Sequence, residues 1–313
     1  MYHRMLVPLD GSELAETVCT YAKELAGRMD LDVILLHVGN PSTQGIVPME
    51  LAYIDHMAET VRRQIRDVQK ATDGEQKSKP VKVSGELAVG YSAEEILRFA
   101  EANSVDLIVL ASHGRSGIKR WTIGSVAGKV MSATTIPVWL IKAGTPEDTP
   151  YDKWPSKTLI VPLDGSALAE TVLPHVATLA QQRGSEPVEV VLVRVSEIMT
   201  IPTYYSPDIS GVSLNWGNIL QEETIRRKEE AKKYLEKIEE RFKKSNINVK
   251  SVVIEGKPND EIVEYANKIP YSMIIMATHG RSGLSRLVYG SVAANIIHGV
   301  NRPIFMIKPQ QQK

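Results

Sequence analysis

Ala111-Ser112-His113-Gly114-Arg115-Ser116-Gly117, running on to Gly124-Ser125-Val126, occurs a second time in the chain. The second copy is Ala277-Thr278-His279-Gly280-Arg281-Ser282-Gly283, running on to Gly290-Ser291-Val292. In both, nine residues separate the Gly after the His from the Gly-Ser pair. An apolar run precedes each copy (Leu107 to Leu110; Met273 to Met276), and a helical pattern follows each Gly-Ser. This is the order strand, glycine-rich loop, helix N-terminus, where backbone N–H groups and the helix dipole favour an anion such as phosphate. The doubling predicts two phosphate-cradling loops, one in each half.

Working outward, Met5 to Leu9 reads as a buried strand, Asp10-Gly11-Ser12 as a turn, and Leu14, Val18, Ala22 and Leu25 as a helix face. Gly27 is expected to stop that helix. Asp32 to Val38 is a strand apolar enough to be buried on both faces. Residues 39–56 read as loop, followed by a helix to about Thr72 and strands at Val81 to Ala88, Leu107 to Ala111 and Ile136 to Ile141. Strands alternating with helices predict a doubly wound α/β domain with a parallel sheet.

The chain then restarts. Val161 to Val172 matches Val7 to Val18 everywhere except Ala167 against Glu13, and later landmarks recur in the same order. The expected division is a first domain over 1–144, a Pro- and Gly-rich linker over 145–156 and a second domain over 157–313. The second half carries a longer loop, Thr200 to Gly217. A charged helix follows to Lys244, with Ile225, Leu235, Ile238 and Phe242 expected on its apolar face.

Lys+Arg and Asp+Glu are both 37, so the balanced charge gives no global case for nucleic acid or an anionic membrane surface. A single cysteine, Cys19, excludes an intrachain disulfide framework and lies in a helical pattern as a small buried hydrophobe. With no signal-type or spanning apolar segment in the sequence, a cytoplasmic location is expected.

In each half three elements converge at strand C-termini, where open α/β sheets bind ligands. Pro8, Leu9 and Asp10, with Pro162, Leu163 and Asp164, end the first strand. A carboxylate there can accept from ribose hydroxyls or simply close an Asx turn at a helix start. Val38 and Val195 end the second strand, where only backbone groups could meet a base. Ala111, His113, Gly114, Arg115, Gly124, Ser125 and Val126, with Ala277, His279, Gly280, Arg281, Gly290, Ser291 and Val292, complete the set. Glycine allows close backbone approach, and arginine offers charge-assisted bonds to phosphate. The histidines read as loop-orienting groups, since no metal spacing or nucleophile–base set surrounds them in the sequence. No catalytic residue or metal ligand is assigned. The sequence lacks G-x-G-x-x-G after the first strand, a P-loop and a G-x-S-x-G elbow.

These residues resemble the universal stress protein family in its tandem two-domain form, over essentially the whole chain. The resemblance rests on V-P-L-D-G-S with A-E-T-V in the next helix and on the turns at Gly90-Tyr91-Ser92 and Gly256-Lys257-Pro258. It rests above all on a loop similar to the family's ATP-binding signature G-x2-G-x9-G-S/T, with Ala111 and Ala277 replacing the first Gly. It implies two Rossmann-like, adenine-nucleotide-binding-type α/β domains, each a five-stranded parallel sheet of order 3-2-1-4-5. It also implies ATP, ADP or AMP as ligand, with Mg2+ carried by the phosphates, Asp10 and Asp164 at the ribose, and Val38 and Val195 at the adenine. The last strands of the halves are expected to pair within the chain as a pseudo-dimer, with homodimerisation also open. The expected role is nucleotide-dependent stress response or signalling. The alternatives are slow ATP hydrolysis or adenylyl transfer, and an interaction module with vestigial sites.

Overall fold

In the computed structural model the described residues are 2–40, 47–74, 77–113, 123–142, 145, 150–184, 186–197, 216–279 and 289–309. The apolar runs form ten strands. The first half supplies β1 (Arg4–Leu9), β2 (Asp32–Gly39), β3 (Val83–Val89), β4 (Leu107–Ala111) and β5 (Val138–Ile141). The second supplies β6 (Lys157–Pro162), β7 (Val188–Ser196), β8 (Val249–Glu255), β9 (Ser272–Ala277) and β10 (Ile304–Ile307). They lie in one sheet in the order β3-β2-β1-β4-β5-β10-β9-β6-β7-β8. Each half is therefore a parallel 3-2-1-4-5 sheet. The halves join where β10 runs antiparallel to β5, with Phe305 opposite Trp139.

Period-two alternation sends neighbouring residues of one strand to opposite faces. Met5, Val7, Trp139 and Phe305 enter one apolar cluster, and Leu6, Ile108, Leu140 and Ile304 the other. Helices cover both faces: α1 (Glu13–Met29), α2 (Val47–Thr72), α3 (Ser92–Ala102), α4 (Ser125–Ala133), α5 (Ala167–Glu170), α6 (Leu173–Ala180), α7 (Trp216–Lys244), α8 (Pro258–Lys268) and α9 (Ser291–Gly299). Among the described residues no helix is long and apolar enough to cross a membrane.

Four expectations need correction. Gly27 does not end α1; Asp30, at φ 57°, caps it with its N–H on Ala26 O. Gly27 instead admits α2, because a Cβ there would lie 2.6 Å from Val68 Cγ1. Residues 47–56 belong to α2, with Pro48 in the first turn, where its missing N–H costs nothing. The second-half counterpart of α1 is split into α5 and α6, since Pro174 in the middle of the pattern cannot donate to the preceding turn. On α7, Leu235, Ile238 and Phe242 are buried as expected, but Ile225 is exposed.

The junction between the halves is aromatic and ionic. Tyr151 and Trp154, from the expected linker, are buried; Tyr151 stacks on Tyr21 and meets Trp139 edge-on. The Arg28 guanidinium, itself buried, donates to Glu24, Glu186 and the Arg183 carbonyl. Arg183 returns the contact to Asp30. Lys142 Nζ, just after β5, donates to Ile297 O at the end of α9, and Lys308 Nζ, just after β10, donates to Ser132 O near the end of α4. Each lysine thus places a cation at the negative end of the other half's helix.

Candidate functional site

Each half carries a cleft of about 280 Å³ at the C-terminal ends of its strands. Strand order creates it: β1 and β4 are neighbours whose outgoing chains turn to opposite faces, leaving a crevice between them. In the first half Pro8, Leu9 and Asp10 form one wall and Val38 another. Ala111 and His113 close the β4 side, with Gly124, Ser125 and Val126 at the base of α4. In the second, Pro162, Leu163, Asp164, Val195, Ala277, His279, Gly290, Ser291 and Val292 take the same places. The sequence candidates are therefore gathered into two clefts. Gly114, Arg115, Gly280 and Arg281 lie outside the described residues.

At the turn after β1, Gly11 (φ 76°) and Gly165 (φ 88°) adopt a left-handed conformation that side chains disfavour. Asp10 Oδ1 accepts from Ser12 N–H at 3.0 Å. Asp164 Oδ1 accepts from the N–H and hydroxyl of Ser166, at 2.9 and 2.6 Å. The carboxylates therefore close Asx turns and also line the clefts. The helix caps are Ser12 and Ser166, whose hydroxyls accept from Ala15 N–H and Ala169 N–H.

The helices after the glycine-rich loops start differently. Gly124 and Gly290 are the N-caps and Ser125 and Ser291 the first helical residues, so neither serine caps its helix. Glycine has no side chain to bond the first-turn N–H groups. Backbone bonds fix both glycines: Gly124 N–H donates to Ser112 O at 2.7 Å and Gly290 N–H to Thr278 O at 2.9 Å. A Cβ on Gly124 would lie 3.1 Å from Ser112 O, so a larger residue would fit only if the loop gave way by a few tenths of an ångström.

His113 and His279 are buried, each with ring Nδ1 3.0 Å from the hydroxyl of the preceding Ser112 or Thr278. Burial, with the Lys142 ammonium nearby, holds the His113 imidazole below its ordinary range and so favours the neutral ring. Among the described residues no group of three His, Cys, Asp or Glu is placed to hold a metal ion.

Several lining residues belong to the turns at Gly90 and Gly256 but are not assigned to the site by the sequence. Ser92 and Ile96, on α3, and Pro258 and Ile262, on α8, form the far wall of each cleft. Their signal was available: the turn residue and the one four later share a helix face. Among the described residues the second cleft has two lining carboxylates, Asp164 and Glu197, where the first has Asp10.

The universal stress protein family model matches residues 1–142 and again 155–308. The Bacillus subtilis universal stress protein YxiE is 32% identical over 148 residues, 45% of this chain and 100% of YxiE. Rv2005c of Mycobacterium tuberculosis, also a universal stress protein, aligns end to end, 21% identical over 98% of this chain and 97% of its own. A universal stress protein structure from Archaeoglobus fulgidus superposes with a TM-score of 0.61, covering 97% of this chain and 98% of that one at 21% identity. A repeated sheet, repeated clefts and a family match over each half lead to one conclusion: the chain belongs to the universal stress protein family, with two of its domains in tandem.

Proposed function

We propose that the protein binds an adenine nucleotide in each of its two clefts and reports its occupancy as a stress-response or signalling protein in the cytoplasm. The observation that carries this reading is the start of α4 and α9, where glycine replaces a capping side chain and a backbone bond fixes the approach. First-turn N–H groups presented this way suit a phosphate. Gly124, Ser125, Gly290 and Ser291 would hold the phosphates. Asp10 and Asp164 would meet the ribose through the carboxylate that the Asx turns have already oriented. The ends of β2 and β7 at Val38 and Val195 would meet the adenine edge. The apolar walls, with Ile96 and Ile262, suit the faces of a base. Any Mg2+ would arrive on the phosphates, with ATP, ADP and AMP all candidates.

Mass spectrometry of small molecules released from the purified, denatured protein tests this reading. It predicts an adenine nucleotide. No nucleotide in the released fraction, together with no binding of added ATP, ADP or AMP, would overturn it.

A further inference from the structure

The strands that join the halves end alike, in Ile141-Lys142 and Ile307-Lys308. Because β5 and β10 run antiparallel, the end of each lies beside the chain entering the other. That chain arrives from α9 in one case and from α4 in the other. The two lysines therefore meet the helix of the opposite half.

At the end of α9, Val300 N–H donates to Ile296 O and Asn267 Nδ2 to Gly299 O. Between them Lys142 Nζ donates to Ile297 O at 2.7 Å and to His298 O at 3.3 Å. The four carbonyls that a helix end leaves unmet are thus all satisfied, two of them by one ammonium from the first half. At the end of α4, Thr134 N–H donates to Val130 O and Lys308 Nζ to Ser132 O at 2.7 Å. Both helices are nine residues long. A cation at the last turn is therefore roughly 13 Å from the first-turn N–H groups beside the cleft. Lys142 is 4% exposed, so water screens its charge little.

We propose, building on the nucleotide reading above, that Lys142 and Lys308 are positioning residues for phosphate in the opposite half, Lys308 acting on the first cleft and Lys142 on the second. Each ammonium offsets the negative pole of a helix whose positive pole lies at the phosphate position, so that pole acts on an anion unopposed. Attraction between unit charges over this distance, at an effective dielectric constant of about 20, corresponds to an affinity change on the order of fivefold. Each cleft is complete only when both halves are present.

The test is calorimetry at pH 7 without added magnesium, on full chains limited to one cleft by Gly290→Val or Gly124→Val, with AMP and ATP as probes. In the Gly290→Val chain, which keeps the first cleft, Lys308→Met is expected to weaken AMP binding on the order of fivefold. ATP should lose more, because it carries more charge. Lys308→Arg, which keeps the cation, should restore both. Lys142→Met and Lys142→Arg should repeat the pattern at the second cleft in the Gly124→Val chain. Lys142 also acts electrostatically on His113 of its own half, so the Lys308 variants are decisive. Unchanged first-cleft binding in Lys308→Met, an equal loss for AMP and ATP, or a loss that arginine leaves in place overturns the proposal. Failure of AMP and ATP to bind the single-cleft chains with both lysines intact would instead overturn the nucleotide reading beneath it.

Discussion

Lys142 and Lys157 are buried ammonium groups, one donating to Ile297 O, the other 5.2 Å above the Tyr151 ring. Burial pushes each down from 10.5 to about 8. Below pH 8 both are charged in the folded and unfolded chains alike. Between pH 8 and 10.5 the unfolded chain keeps protons that the fold has released, so these groups make stability rise with pH across that window. The buried Tyr151 phenol, raised above its ordinary 10.0, acts oppositely at higher pH, because the fold then keeps the proton. Urea denaturation from pH 7.5 to 10 should show a rising contribution that Lys142→Met and Lys157→Met each diminish. An unchanged slope in both variants would refute this assignment. The same burial pushes the Cys19 thiol up to about 12, which fits the small hydrophobe expected from its helical pattern.

The four helix starts separate capping from ligand binding. Ser12 caps α1 by a side-chain bond, whereas Ser125 follows a glycine cap and makes none. Ser12→Ala should cost about 1 kcal/mol of stability, the usual worth of an N-cap, and Ser125→Ala less than about half of that. Ser125→Ala should instead weaken nucleotide binding; equal stability losses in the two would contradict the distinction. Elements of this kind were legible because their signals are local and occur twice: apolar runs gave the strands, and Gly-Ser marked the start of each helix. The role of Gly27 is not legible in its own helix, because it depends on Val68, a residue of another helix. Residues 47–56 looked like loop because their proline signals both a turn and a first helical turn. Pro174 splits a helix that begins with the same Leu-Ala-Glu-Thr-Val as α1. The far walls at Ile96 and Ile262 were present as helix positions, but only the sheet order turns them toward the clefts.

At the scale of the molecule, the tandem repeat makes the 3-2-1-4-5 order readable twice, and β5 with β10 closes both edges within one chain. What the sequence hides is the junction, since Arg28 with Glu186, and Lys142 with Ile297, join residues far apart in the chain. Those contacts set each half's helices against the other, so the clefts are parts of one sheet yet chemically unequal. Their inequality, Glu197 and Arg194 against Asn40 and His37, depends on single side chains within an otherwise repeated frame. Each cleft is proposed to hold one nucleotide. Isothermal titration of the full chain with ATP, beside Gly124→Val, Gly290→Val and the double variant, tests it most directly. Two sites are expected in the parent, one in each single variant and none in the double variant. Absence of binding up to about 1 mM nucleotide, or stoichiometry unaffected by either glycine, would contradict it.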